Sequence, residues 1–263
     1  MTRSARGTAY GLSGDPDAPP LVLIHGLGLD RETWRDHVRT FTEDFRVLTY
    51  DLFGHGDSDG PPETPSLTTY SEQLAALLDE LDIASAHVVG FSLGGMINRR
   101  FAADHPDRVE SLAILNSPHE RSPEDQQAVE QRARDSAKAG PSANIEQTLN
   151  RWFTPAFRAS HPQRVDEVRR CVTSNDAATY ADCRFVLASG VVELIRPDPP
   201  IAHRTLVITC EHDSGSTPDM SHAIASEIPG AQLIIIPELQ HLGLIERPEL
   251  FTEPLVTFIR STP

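Results

Sequence analysis

VVGFSLGG, residues Val88 to Gly95, carries two β-branched residues straight into a serine set among glycines, and a helical pattern follows. Gly-x-Ser-x-Gly can be only a tight turn, or it can hold a nucleophile clear of its own backbone. The two differ in context: a displayed nucleophile needs a strand before it and a helix after it. Small residues at Gly90 and Gly94 then let the neighbouring chain pass without a clash. Gly95 lets the following helix approach the sheet.

Outward from this stretch, short continuous apolar runs alternate with amphipathic ones. The predicted strands are Leu21–His25, Arg46–Asp51, Ala86–Gly90, Ser111–Asn116, Thr205–Cys210 and Gln232–Pro237. Continuous rather than alternating apolar character suits strands covered on both faces. Predicted helices cover Tyr70–Leu81, entered by Thr69 with Glu72 three residues on, then Leu93–Asp104 and Pro248–Ile259. The first start follows a capping-box pattern, and His105-Pro106 stops the second, because proline cannot continue the helical ladder. Strand–helix alternation of this kind predicts an α/β fold with a mostly parallel central sheet and helices on both faces.

The alternation breaks between Pro118 and Pro200, where no run reads as a strand. Ser122-Pro123-Glu124-Asp125 opens a helix as N-cap, N1 proline and acidic first turn, and Lys138 and Gly140-Pro141 close it. Further helices are predicted near Asn144–Trp152, Pro162–Thr173 and Ala177–Leu187. Ligands of open α/β sheets bind at the carboxyl ends of the strands. A helical insertion there predicts a cap, residues 118–200, on a core built from residues 1–117 and 201–263.

Composition bounds the partners. The chain has 263 residues, 39% apolar and 23% charged, enough for a sizeable core. Its 23 basic and 38 acidic residues give a formal net charge of −15, and Lys138 is the one lysine. Such a surface repels nucleic acid and anionic membranes. No apolar run approaches a bilayer span, and the N-terminal residues lack the apolar stretch of a signal peptide. Three cysteines without metal or redox spacing fit reduced thiols. The expectation is a cytoplasmic protein that binds neither nucleic acid nor membrane; the sequence carries no mark of oligomeric state.

If Ser92 is a nucleophile, it needs a general base, and the base needs a carboxylate to orient it. On such a fold the chain order is serine, acid, histidine. The run TLVIT leads into Cys210-Glu211-His212-Asp213, which places Asp213 in the loop after a late strand, with Glu211 as the alternative acid. QLIIIP leads into Glu238-Leu239-Gln240-His241, and of eleven histidines His241 alone occupies the loop after the last strand. Backbone N–H groups of Leu93 and of Leu27, in His25-Gly26-Leu27-Gly28, are the candidate oxyanion donors. His25 reads as structural. No ligand-like spacing implies a metal, and no dinucleotide fingerprint appears, so no cofactor is expected.

HGLG, DLFGHGDSD (Asp51–Asp59), GFSLGG, the Asp213 loop and HLGLIERPELF (His241–Phe251) together resemble the α/β-hydrolase superfamily in order and spacing. The resemblance implies Ser92 as nucleophile, His241 as base, Asp213 as acid and Leu27 and Leu93 as oxyanion donors. It gives Gly54-His55-Gly56 a structural role. Within the superfamily, GFSLGGMINRRFAADHPDRVESLAILNSP (Gly90–Pro118) and RWFTPAF (Arg151–Phe157) are most similar to the 3-oxoadipate enol-lactonase group, which implies lactone hydrolysis in aromatic catabolism. Cys210, where glycine is common, and a longer Asp213–Pro218 loop depart from that group. Broad esterases, cofactor-free haloperoxidase-like hydrolases, carbon–carbon bond hydrolases of meta-cleavage pathways and non-catalytic binders share the fold and stay open. The expected partner is a small ester or lactone. Trp152 and Phe153 are the candidate pocket walls, and one of the seven arginines from Arg151 to Arg196 is a candidate for a substrate carboxylate.

Overall fold

In a computed structural model the described residues are 2–136 and 139–261. The elements run β1 (Thr2–Arg3), β2 (Ala9–Ser13), β3 (Pro20–Ile24), α1 (Arg35–Phe41), β4 (Arg46–Tyr50), α2 (Leu67–Glu80), β5 (Ala86–Phe91), α3 (Leu93–Asp104) and β6 (Val109–Leu115). Then come α4 (Pro123–Ser136), α5 (Ile145–Trp152), α6 (Pro155–Ser160), α7 (Pro162–Thr173), α8 (Ala177–Ser189), β7 (Thr205–Cys210), α9 (Pro218–Glu227), β8 (Gln232–Ile236), α10 (Gly243–Glu246) and α11 (Glu249–Arg260).

The eight strands form one sheet in the order β1-β2-β4-β3-β5-β6-β7-β8. β1 and β2 pair antiparallel, β2 joins β4 antiparallel, and every other pairing is parallel. Every residue of β5 and of β7 is buried, so the centre of the sheet is covered on both faces. α2 packs on α3 and α3 on β5 and β6, whereas α1 packs on α11 and α9 on β7. This is the α/β arrangement, a mostly parallel sheet with helices on both faces, that the alternation predicted.

Local differences have local causes. α2 begins at Leu67, not Tyr70, because the capping box is Ser66 with Thr69. Thr69 N–H donates to Ser66 Oγ and Ser66 N–H donates to Thr69 Oγ1, each 3.1 Å. Thr69 is therefore a third helical residue, and Glu72 lies 3.0 Å from His105 Nε2 instead. Ser122 does cap α4, accepting from Asp125 N–H at 3.1 Å; Lys138, read as its end signal, lies outside the described residues. The antiparallel strands β1 and β2 escaped the periodicity because only one of their seven residues is buried. α1, α6 and α9 escaped it because each is short. Between β6 and β7 the described residues hold helices α4 to α8 and a 3-10 turn, Gly190–Leu194, with no strand.

The loops after β3 and β4 are locked together. His25 Nδ1–H donates to Gly26 O at 2.8 Å and its Nε2 accepts from Leu52 N–H at 3.0 Å, the structural role predicted for it. The buried Asp51 carboxylate accepts from Arg31 N–H at 2.8 Å, from Asp57 N–H at 2.9 Å and from the Arg31 guanidinium. His37 joins α1 to the chain's end: Nδ1 is 2.7 Å from Thr252 Oγ1 and Nε2 3.0 Å from Leu244 O.

Burial depresses the His37 pKa to about 4, against smaller opposing effects of the Leu244 carbonyl and Asp36. The unfolded chain titrates it near 6.5. Between those values the unfolded state takes up a proton that the folded state refuses, so this histidine costs stability as pH falls from about 6.5 to 4 and nothing further below. The full loss is about 3 kcal/mol. Urea unfolding of wild type and His37→Gln between pH 7 and 4 should therefore give a flatter stability curve for the variant. Parallel curves would remove His37 as the cause.

Candidate active site

β5 runs to Phe91 and α3 starts at Leu93, so Ser92 alone makes the turn. It does so at φ 55° and ψ −112°, backbone that a non-glycine residue adopts only under constraint. The constraint is visible: Ser92 N–H donates to Leu115 O at 2.8 Å and Gly95 N–H returns to Ser92 O at 3.0 Å. A Cβ at Gly90 would stand 2.1 Å from Gly94 O, and one at Gly94 2.4 Å from Ile24 O. Both contacts are with backbone that cannot move aside, so these two positions require glycine.

Asp213 and His241 reach the same edge from the loops after β7 and β8. The His241 Nδ1–H donates to Asp213 Oδ2 at 2.6 Å. Asp213 Oδ1 accepts from the N–H groups of Gly215 and Ser216, both at 2.9 Å. Asn116, directly after β6, adds a fourth donor, Nδ2–H to Oδ2 at 2.9 Å. Burial pushes the Asp213 carboxyl up, but the pull of His241 and the bonds from His241, Asn116 and Ser216 outweigh it and hold it below the usual carboxylate range. The His241 ring packs on Phe91, the residue before Ser92, with centroids 5.0 Å apart. Among the described residues no hydrogen bond joins Ser92 Oγ to His241; such contacts commonly tighten only when substrate binds. Glu211 is exposed and accepts from Glu238 N–H at 2.9 Å, away from His241.

Ser92, His241, Asp213 and Leu27 all border one cavity of about 910 Å³, within the size range of small-molecule sites. Leu93 opens α3 and is fully buried. Trp152 lines the cavity with its ring centroid 6.0 Å from that of His241, and its carbonyl accepts from Leu242 N–H at 2.9 Å. Phe153 corrects the expectation made for it. It is fully buried, it stacks on Phe157 at 5.2 Å and it is not a cavity wall, because the end of α5 turns it into the core.

Of the seven arginines from Arg151 to Arg196, five are engaged elsewhere: Arg158 with Asn150, Arg164 with Asp36, Arg169 with Glu146, Arg170 with Asp166 and Arg196 with Glu120. Arg151 and Arg184 line the cavity and have no ion pair among the described residues. Both draw down the pKa of Tyr180, which burial on balance raises. Arg121 and Arg132, from outside that set, also line it; burial and the charge of Arg132 lower the Arg121 pKa. Sequence reading missed Asn116, Tyr180, Arg121 and Arg132, since none belongs to a spacing pattern. Among the described residues no group of three or more His, Cys, Asp or Glu could hold a metal, and no helix is long and apolar enough to cross a membrane.

Residues 19–140 match the family model described as alpha/beta hydrolase fold. A 3-oxoadipate enol-lactonase of Acinetobacter baylyi is 28% identical over 92% of this chain and 89% of its own length. An (E)-2-((N-methylformamido)methylene)succinate hydrolase of the same organism is 26% identical over 94% and 92%. The solved enol-lactonase of Burkholderia xenovorans LB400 is 32% identical, with a TM-score of 0.86 over 97% of this chain and 96% of its own.

The two candidate carboxylates, Asp213 and Glu211, can be separated by measurement. Asp213→Asn should lower kcat on a nitrophenyl ester by about 10⁴-fold, as loss of the orienting carboxylate does elsewhere. Glu211→Gln should leave it within about twofold. The reverse ranking would move the acid to Glu211.

Proposed function

The chain belongs to the alpha/beta hydrolase fold family, and from that premise we propose that it hydrolyses a carboxylic ester or lactone, of the enol-lactone kind met in aromatic catabolism. The observation that carries the reading is a serine held in a strained turn on the same cavity as a buried, hydrogen-bonded histidine–carboxylate pair. His241 takes the Ser92 proton and Ser92 Oγ attacks the carbonyl carbon. The Leu27 and Leu93 N–H groups hold the oxyanion. Collapse expels the alkoxide, which takes the proton from His241 and, in a lactone, stays tethered to the acyl group. Water, deprotonated by His241, then cleaves the acyl-enzyme. Asp213 remains ionised throughout and holds the imidazole in one tautomer.

Residues 118–200 act as the lid of this site, on a core of residues 1–117 and 201–263. Trp152 from the lid covers the His241 ring. Arg151 and Arg184, without carboxylate partners beside Tyr180, suit a substrate that brings its own carboxylate, and so support an acidic lactone over a neutral ester.

The test is the loss of ultraviolet absorbance of 3-oxoadipate enol-lactone. Wild type should reach kcat/KM above about 10⁴ M⁻¹s⁻¹, the range of enzymes on their own substrates. Ser92→Ala should lose on the order of 10⁴- to 10⁶-fold in kcat; retention of more than a few per cent would end the nucleophile assignment. Arg184→Glu should raise KM for acidic lactones and leave neutral esters unchanged. Equal effects on both would reject carboxylate recognition there.

A further inference from the structure

We propose that Asn116 is a positioning residue for the catalytic acid: its side-chain amide, set by a left-handed backbone at the end of β6, holds the Asp213 carboxylate in the orientation and ionisation that His241 needs. The inference rests on the Ser92–His241–Asp213 reading above.

Asn116 has φ 45°, in the region where asparagine is among the few tolerated non-glycine residues. Its N–H donates to Ile208 O at 2.8 Å, so the backbone still follows β7 while the side chain is thrown to the sheet's carboxyl edge. There Nδ2–H meets Asp213 Oδ2 at 2.9 Å, on the same oxygen that accepts the hydrogen bond from His241 Nδ1–H. Asn116 is fully buried, and its Oδ1 has no hydrogen-bond partner. A buried amide that leaves its acceptor unpaired is costly, so the contact with Asp213 is the feature this placement serves. The opposite amide orientation would face carbonyl oxygen against carboxylate, which fixes the assignment.

Two consequences follow for the acid. Oδ2 is restrained from two directions, so the carboxylate cannot rotate away from His241 as the imidazole gains and loses its proton. Of the four donors that keep the buried carboxylate ionised, the Asn116 amide and the Gly215 and Ser216 N–H groups are neutral and unaffected by pH, and of these only the amide shares Oδ2 with His241. The titratable groups around it are Asp213 itself, His241 beyond it, and the Cys210 thiol, which burial raises to about 12 and which therefore stays neutral. Without the amide the carboxylate becomes more basic and binds the imidazolium proton harder. The acid limb of the pH–rate profile, where His241 is protonated, should then move to higher pH.

The left-handed backbone supplies a control. Asn116→Gly keeps that conformation without strain and removes the amide, whereas Asn116→Ala removes the amide and strains the turn. Both variants should lose about tenfold to hundredfold in kcat with KM little changed, the size expected for a hydrogen bond to a charged group. Both should show the upward shift of the acid limb, and Asn116→Gly should melt close to wild type. In an Asp213→Asn background the Asn116→Gly change should cost less than twofold, because the residue acts through the carboxylate. Wild-type kcat and acid limb in Asn116→Gly, with Ser92→Ala and Asp213→Asn inactive, would overturn the proposal and leave the triad intact. Activity retained in Ser92→Ala or Asp213→Asn would overturn the triad reading itself.

Discussion

An ionised carboxylate removed from water is tolerated only where fixed donors replace its hydration, and Asp213 is 2% exposed. Four donors meet it, from the loop it belongs to, from the end of β6 and from the loop after β8. Each of these loops must therefore sit within a few tenths of an ångström of its place, or a buried charge is left unpaired. The parallel pairing of β6, β7 and β8, with Leu115 beside Ile208 and Cys210 beside Ile236, brings the three loop starts to one edge. The carboxylate in turn makes any slip of that register expensive. Packing of the sheet and satisfaction of one charge thus enforce each other.

The serine is held by a different economy. Here the chain must reverse within one residue, and the cost is backbone strain rather than desolvation. Glycines at positions 90 and 94 admit the close approach, and the bond from Ser92 N–H to Leu115 O ties the turn to the strand that ends in Asn116. Ser92 and Asp213 are therefore both tied to β6, through Leu115 O and the Asn116 amide. Trp152 and the loop after β3 border the same cavity.

What could be read in advance follows from how each feature is encoded. Fully covered strands announce themselves as unbroken apolar runs, and Ser92, Asp213 and His241 stand at the ends of such runs. Their places at one edge of the sheet were legible because the loops that follow parallel strands all open at the strands' carboxyl ends. The antiparallel strands β1 and β2 have too few buried residues to leave a pattern. The helix start at Ser66 rather than Thr69 turned on which of two hydroxyls faces which amide, a choice that spacing does not express. Phe153 and Trp152 are adjacent, yet a helix end sends one ring to the cavity and the other to the core. Asn116 meets Asp213 across the fold, ninety-seven residues away in sequence, and no local signal marks such a residue.

Net charge and site charge act over different distances. The formal charge of −15 belongs to the surface at large, where fields between exposed charges fade over about 8 Å at physiological salt. Inside the cavity the nearest charges govern: Arg121, Arg132, Arg151 and Arg184 line it, and so do Glu120, Asp125, Asp213 and Asp219. Burial already lowers the Arg121 pKa, with its neighbour Arg132 adding to the effect. A ligand carboxylate entering would relieve that repulsion as well as pair with it. The acidic exterior therefore does not argue against an anionic substrate. It thins the approach from bulk solution, while Arg151 and Arg184, on the cavity and without an ion pair among the described residues, are the cations left to meet such a group.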